Sequence, residues 1–459
     1  MAFSTDKTRQ GAAGVSTGYE IPYSCRFNGT STILERTPSS TGNRRMLTFS
    51  AWIKQGDVHT INGNQIFSAG VNGDGFHYQS GDIWRHTGYI SSAFWGTRDW
   101  NGKQYDPSAW KHIVVRFDTE QDAELDRSRL FVNGVEVTVN HTYHTIAEDY
   151  DMRYNHTADA HWIGGLNAGS YFDGYMAEVH WIDGAIVSPN AFGEVGDYGE
   201  WKPKEYVVAD YAAYGTNGYY LDFADSSHFG NDVSGNNNDW TDTGFGTHDQ
   251  MLDTPTNNFC TWSPLLRHLG VTQNPIEGNL KQVNGSTSLG TSHPIGGTMA
   301  VEGKWYFEIM LGQTTYSHWS KIGIVSDLYK EYSQTFGDTD SSGADPSSGL
   351  FGWGYHCNNA NKVHGGESSA AMSGGTSFGS GVTTLDVMAI AVDTDAGKVW
   401  FAENNVWLDS GDPAAGSNPA WDDVRGAILP FVSTQDGSTA FVTLNCGQDS
   451  SFAGEKTAQ

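Results

Sequence analysis

The sequence predicts an all-β protein: two antiparallel β-sandwich (jelly-roll) domains joined by a Gly/Asn/Asp-rich irregular segment. Three observations carry this. Short apolar runs alternate with polar positions at period two and are closed by glycine, asparagine or aspartate. The chain is rich in glycine (56 residues) and tryptophan (16), and only 17% of it is charged. That composition suits strands and tight turns rather than amphipathic helices. No long stretch places apolar residues at helical spacing. A length of 459 residues has room for two to four domains.

Taken in order, residues 1–20 are small and polar and read as an N-terminal arm that needs a partner to become ordered. Residues 21–200 carry the first strand series. "LTFSAWIK" (47–54) alternates, "QIFSAG" (65–70) closes on glycine, and "WKHIVVRFDT" (110–119) has a buried middle. "RLFVNGVEVTV" (129–139) places Asn133-Gly134 between two β-rich runs, a strong hairpin signal. In "FDGYMAEVHWIDGAIV" (172–187), strict alternation puts Tyr175, Ala177, Val179 and Trp181 on one face. Met176, Glu178 and His180 fall on the other, and His180 is expected on the outer one. Residues 201–299 read as a loop-rich linking segment packed along its neighbours. From 300 to 459 the strand rhythm returns in "GKWYFEIML" (303–311), "KIGIVS" (321–326), "GLFGWGY" (349–355), "AILPFVS" (427–433) and "STAFVTLNCG" (438–447). Within "LDVMAIAVDTDAGKVWFAENNVWL" (385–408), Asp395-Ala-Gly397 marks a hairpin turn.

The order "SAWIK … IFSAG … WKHIVVRFD … RLFVNGVEV … WIGG … FDGYMAEVHWIDGAIV" resembles the laminin-G-like, concanavalin A-type jelly roll over about 160 residues. "GKWYFEI", "DVMAIAVDTDAGKVWFAENN" and "LPFVS" resemble the strands of a SPRY domain. That resemblance implies a sandwich that binds partners through loops and is not an enzyme. "FDGYMAEVHWIDG" and "MLDTPTNNFCTWSPL" (251–265) further resemble tail-fibre-like virion proteins of bacteriophages. The chain stops at "SFAGEKTAQ", where similar phage proteins run on.

Several constellations invite a chemical reading. Glu120, Asp122 and Glu124 have the Glu-x-Asp-x-Glu spacing of some jelly-roll glucanases. Yet they fall in the connection "DTEQDAELDRS", and a retaining glycosidase needs two carboxyls ~5 Å apart across the sugar bond. No catalytic residue is therefore expected. His141, His144, His156 and His161, with Asp149 and Asp151, read as surface-loop histidines rather than a metal site. Asp225, Asp232 and Asp239 lack the alternation and terminal glutamate of a calcium loop. A solvated turn region is expected there, with calcium as the alternative and no other cofactor. Cys25, Cys260, Cys357 and Cys446 lie far apart and read as free thiols. Aromatic residues crowd "GDIWRHTGYISSAFWGTRDWNGKQYDPSAW" (81–110), where Tyr89 also lies. Trp84, Trp95, Trp100 and Tyr105 suit stacking on sugar C–H faces, and Arg85, Arg98 and Asp99 suit hydroxyls. These seven are the expected ligand-binding residues. In the SPRY-like half, "TTYSHWS" (314–320) and "HCNNANKVHGG" (356–366) are further candidate loops.

A net charge of −27 disfavours nucleic acid and anionic membrane as partners. No segment is apolar and long enough to cross a bilayer as a helix. The start lacks the apolar core of a signal peptide, so export by that route is not expected. The expectation is a bacteriophage virion surface protein, of tail-fibre or decoration type, binding host-surface glycan or receptor non-covalently. Its other partners would be virion proteins and copies of itself, as a trimer by the fibre resemblance. A glycan depolymerase and a purely structural virion module are the alternatives.

Overall fold

A computed structural model describes residues 18–56, 62–71, 73–79, 83–91, 94–101, 106–167, 169–267, 274–283, 292–312, 321–326, 352–357, 360–364, 376–435 and 441–456. The chain divides into two compact units, and the division falls between Asn258 and Phe259.

The first unit is built on two eight-stranded antiparallel sheets. One runs in the order Val135–Glu136, Ser128–Val132, Lys111–Asp118, Met46–Gln55, Asp173–Asp183, Ser24–Asn28 and Gln250–Met251, with Tyr219–Leu221 also paired to Asp173–Asp183. The other runs Val139–Tyr143, Phe94–Trp100, Ile83–Ser91, Asp74–Gln79, Asn62–Ala69, His161–Ile163, Ile33–Arg36 and Thr241–Thr243. The alternation in "LTFSAWIK" is realised: Leu47, Phe49, Ala51 and Ile53 enter the core, with Phe76, Trp84, Trp100, Ile113, Val115 and Phe117. Each of the larger aliphatic and phenyl side chains among them contributes about 1.5–3 kcal/mol by leaving water. The opposite face of the first sheet is also covered. Val187, Ala191, Phe192 and Tyr214 pack there on Val114, Phe131 and Ile182. The Asn133-Gly134 turn forms as expected, both residues having positive φ (48° and 77°).

The face assignment expected for "FDGYMAEVHWIDG" fails at a bulge. The pairing with Met46–Gln55 slips between Ala177 and His180, where Ala177 faces Trp52 but His180 faces Ser50. One extra residue is accommodated in a bulge, with Glu178 at φ 50°. The phase reverses there, so Met176 joins Val179 and Trp181 in the core. Tyr175 instead lies by Trp110 and Lys54. His180 faces away from the sandwich core as expected, but it is 3% exposed, because Phe192, Tyr206, Tyr214 and Tyr220 close over it.

The linking segment expected over 201–299 is divided between the units. Tyr219–Leu221, Thr241–Thr243 and Gln250–Met251 extend the sheets of the first unit. Two buried ion pairs fix its last turn. Arg26 donates Nε and Nη2 to Asp249 Oδ1 (3.0 and 2.8 Å). Lys54 Nζ reaches Asp253 Oδ2 at 2.7 Å, and Trp110 Nε1 donates to Asp253 Oδ1 at 2.8 Å. Trp262–Arg267 and Lys281–Val283 belong to the second unit. Strands of two or three residues have no period to read, and the charges that hold this segment lie some 200 residues from their partners.

The second unit is a sandwich of a seven-stranded and a six-stranded antiparallel sheet. The first runs Trp262–Arg267, Ser292–Gly297, Ile428–Gln435, Lys321–Ser326, Gly352–His356, Asn361–His364, Thr376–Ser377. The second runs Lys281–Val283, Phe441–Asn445, Lys304–Leu311, Val387–Asp393, Lys398–Glu403, Val406–Trp407. Phe307, Ile309, Ile322, Ile324, Trp353, Ile390, Phe401 and Leu444 fill its core. Asp393 and Lys398 close the hairpin around Asp395-Ala-Gly397, with Gly397 at φ 69°.

Candidate functional site

The second sheet of the jelly roll turns one face to the core and the other away from it. Period two decides which residues go where. Trp84 stands opposite Trp100, and His86 opposite Arg98, on the inner face; Arg85 stands opposite Asp99 on the outer face. The outer row extends further in both directions. Gln65 faces His77, His77 faces Arg85, and Asp99 faces His141. Gln65, His77, Arg85, Asp99 and His141 therefore form one polar row across five adjacent strands.

Its centre is a two-pronged ion pair: Arg85 Nε donates to Asp99 Oδ1 (2.5 Å) and Nη2 to Oδ2 (2.7 Å). This geometry holds both planes rigid; Asp99 is buried (5% exposed), so the partly exposed Arg85 is the member of the pair nearer solvent. Gln65 Nε2 lies 3.3 Å from His77 Nδ1. An amide nitrogen only donates, so His77 Nδ1 accepts and the ring proton sits on Nε2. Burial, and then Arg85, push the His77 pKa down to about 4. At pH 7 His77 is therefore uncharged, and Arg85 and Asp99 offset each other, on a chain of net charge −27. At its edge, the strand Val139–Tyr143 exposes His141 and Tyr143, the latter 59% exposed. Tyr143 pairs with Thr97 beside Arg98 and Asp99.

Of the seven residues expected to bind ligand, the structure brings Arg85 and Asp99 together at this face. Trp84 and Trp100 are fully buried. Trp84 lies against Phe76 (5.1 Å between centroids) and Tyr78 (3.8 Å), so neither indole presents a face to a sugar. Arg98 also turns inward, donating to Ser128 Oγ (2.9 Å) and Glu124 Oε1 (2.7 Å). These three are corrected to structural roles, because alternate residues of a strand lie on opposite faces. Trp95 pairs with Tyr89 in the backbone ladder, but its side chain, like all of Tyr105, lies outside the described residues. So does the loop 314–320 and part of 356–366. His141 and Tyr143 were hidden in a stretch read as a loop, because a polar edge strand has no apolar period to reveal it.

The other constellations are taken up in local structure. Glu120, Asp122 and Glu124 lie between Lys111–Asp118 and Ser128–Val132, as expected. Glu124 is held by Arg98, and Arg127 donates to the carbonyls of Gln121 and Asp122. Asp232 accepts the backbone N–H groups of Tyr220, Ser234 and Asn238, Asp239 that of Asp232, and Asp225 that of Ser227. These carboxylates stabilise turns rather than converge on a cation. His156 pairs with Asp159 (2.8 Å), while His161 Nε2 accepts the N–H of Asn155 (2.9 Å). Among the described residues no group of three His, Cys, Asp or Glu side chains is placed to hold a metal. Cys25 and Cys357 are buried free thiols, while Cys260 and Cys446 are free but partly exposed.

One contact imitates a nucleophile and base. Ser50 Oγ lies 2.8 Å from His112 Nε2. Trp201 Nε1 donates to His112 Nδ1 (3.1 Å). An indole N–H cannot accept, so the His112 proton sits on Nε2 and is donated to Ser50. The ring is oriented against activating the serine. Burial pushes its pKa down to about 3.

Comparison with known proteins agrees with this architecture. Residues 28–190 match the concanavalin A-like lectin/glucanases superfamily, and residues 304–449 match the SPRY domain. The chain thus carries a lectin-like, concanavalin A-type jelly roll and a SPRY sandwich. None of the curated proteins compared matches it. Among solved structures it is similar to the SPRY domain of human HERC1, with 14% identity, TM-score 0.29, and 40% of this chain and 98% of that one covered. It is similar to stonustoxin at 16% identity, TM-score 0.28, covering 40% of this chain and 26% of that one. A candidate carbohydrate-binding protein from Bacteroides ovatus is similar at 16% identity, TM-score 0.25, covering 36% and 44% respectively.

Proposed function

We propose that this protein is a bacteriophage virion surface protein, of tail-fibre or decoration type, that holds a host-surface glycan without cleaving it. The glycan would lie on the outer face of the second jelly-roll sheet. The observation that carries the binding reading is the polar row centred on the ion-paired Arg85 and Asp99, with Tyr143 exposed beside it. A sugar hydroxyl both donates and accepts, and it can meet a guanidinium and a carboxylate held side by side. Tyr143 offers a ring for the sugar's C–H face. The mutually offset charges of Arg85 and Asp99 also suit a neutral hexose, which the acidic chain does not repel. The virion assignment rests on the resemblance of "FDGYMAEVHWIDG" and "MLDTPTNNFCTWSPL" to phage tail-fibre-like proteins. Millimolar single sites would reach useful strength through several copies on one particle, a trimer by analogy with fibres. Divalent cations would screen the acidic surface against an anionic host.

Two measurements test the two parts separately. A glycan array probed with the protein should give hits that Arg85→Ala and Tyr143→Ala lose; an array without hits overturns the glycan reading. Antibody labelling of phage particles should decorate a tail or capsid surface; particles without the chain overturn the virion reading.

A further inference from the structure

The last turn of the first unit sets an acid and an amide against one buried lysine. Within "DTPTNN" (253–258), Thr254 and Asn257 exchange backbone hydrogen bonds, Thr254 N to Asn257 O at 3.1 Å and Asn257 N to Thr254 O at 3.0 Å. The flanking Asp253 and Asn258 are thereby brought side by side. The turn is pinned to the start of the fold: Ile21 N donates to Thr256 Oγ1 (3.1 Å), and Ser24 Oγ donates to the Asp253 carbonyl (2.6 Å).

Lys54 reaches both side chains. Its neighbour Ile53 enters the core, so period two sends Lys54 to the opposite face of the sheet. Lys54 Nζ lies 2.7 Å from Asp253 Oδ2 and 2.8 Å from Asn258 Oδ1. The Lys54 and Asp253 side chains are 1% and 0% exposed, and Asn258 is buried with them. Trp110 Nε1 holds Asp253 Oδ1 (2.8 Å), and Asn258 Nδ2 donates to the Ser108 carbonyl (2.7 Å). The carboxamide satisfies a second ammonium N–H of Lys54, but it also sets an electrophilic carbon one bond beyond the oxygen that the nitrogen touches. An amine, a carboxamide carbon and a carboxylate that can take a proton, held in contact away from water, are the parts of an amide exchange.

We propose that Lys54 and Asn258 become joined by an amide bond between side chains, with Asp253 as the proton carrier. Lys54 gives one ammonium proton to Asp253 Oδ2. The amine and acid so formed do not need the hydration that ions need. The amine attacks Asn258 Cγ, and the Nζ–Cγ bond forms as the Cγ–Nδ2 bond breaks. Nδ2 departs as ammonium, taking the surplus proton of Nζ and the proton held by Asp253, which returns to carboxylate. Atoms and charge balance, and no oxidant or cofactor is consumed. The geometry described is that of the unlinked chain, in which the ion pair stands. The bond would tie the last residue of the first unit to Met46–Gln55, a central strand of its first sheet. It uses none of the residues of the proposed glycan face, so either reading can fail alone.

The test is mass spectrometry of the folded, full-length protein after prolonged incubation at neutral pH. The chain should be lighter by the mass of one ammonia. Tryptic digestion should give one branched peptide that joins the residues around Lys54 to those around Asn258, with cleavage after Lys54 lost. Asp253→Asn and Asn258→Ala should give no branched peptide. A wild-type chain that keeps its full mass overturns the proposal. So does a loss of ammonia without the branched peptide, which marks cyclisation of an asparagine elsewhere. A branched peptide that persists in Asp253→Asn overturns the role given to Asp253. The wild-type digest decides even if the variants fail to fold.

Discussion

Acidification should unfold the jelly roll, and its buried histidines set the slope. Burial holds His77 and His161 down to pKa values of about 4, and His86 and His112 down to about 3. His112 and His161 each present a bare nitrogen to a fixed N–H donor, from Trp201 and Asn155, so protonation would also cost a hydrogen bond. In the unfolded chain all four rings titrate near pH 6.5. The folded pKa values are depressed, so between about pH 6.5 and 4 the unfolded state binds more protons. Stability therefore falls as pH falls through that window. Four protons at about 1.4 kcal/mol each give a slope of about 5 kcal/mol per pH unit near pH 5. A domain stability of about 5–15 kcal/mol is exhausted within two or three units. Denaturant unfolding followed by tryptophan fluorescence, in steps from about pH 7.5 to 4.5, measures this. His86 lies among the rings of Phe117 and Tyr154 at 4.7 and 6.2 Å, and its Nε2 makes no hydrogen bond among the described residues. His86→Phe should therefore keep the fold and reduce the slope by about a quarter. A slope below about 1 kcal/mol per unit between pH 6 and 5, or no change in His86→Phe, refutes the reasoning.

Other consequences follow from single contacts. Asp253→Ala leaves Lys54 buried without its carboxylate and should cost about 3–5 kcal/mol in chemical denaturation; Lys54→Met combined with it should recover most of that loss. Glu178 accepts the hydroxyls of Tyr19 and Tyr220, each at 2.8 Å, so Glu178→Ala should cost about 3 kcal/mol, whereas Tyr143→Ala at its exposed site should shift stability by less than about 0.5 kcal/mol. Because Asp225, Asp232 and Asp239 accept backbone N–H groups, adding calcium or a chelator should leave the melting temperature unchanged within a degree or so. Ile390→Ala, in the core of the second unit, should cost about 2–5 kcal/mol in the transition of that unit.

What the sequence discloses here depends on how local the cause is. Asn133-Gly134 and Asp395-Ala-Gly397 announce their hairpins because positive φ is a property of the residues themselves. Leu47 through Ile53 announce a core face because the period is two and uninterrupted. The bulge at Glu178 has no such signal. A glutamate at φ 50° is held by Tyr19 and Tyr220, 159 and 42 residues away, and by the covering layer, none of which neighbours it in sequence. Likewise Arg26 and Lys54 look like surface charges until Asp249 and Asp253 arrive.

The candidate site sits between these limits. Its residue types were legible in 81–110, but composition alone could not separate Arg85 from Trp84, or Asp99 from Arg98 and Trp100. Period two separates them once both strands are recognised, since Trp84 facing Trp100 compels Arg85 to face Asp99. Gln65, His77 and His141 are a different matter. Nothing in their own neighbourhoods ties them to 81–110, and only the register of five strands aligns them with Arg85 and Asp99. The aromatic partner moves for the same reason. Trp84 and Trp100, two of the tryptophans that drew attention to 81–110, fill the core beneath the row, and their burial is what holds the two strands in the register that brings Arg85 to Asp99. Among the described residues of this face, the exposed ring comes from Tyr143, on a strand too polar to be seen. A binding face on a sheet is thus written twice: once in residues that point outward, and once in the apolar residues between them that fix the register.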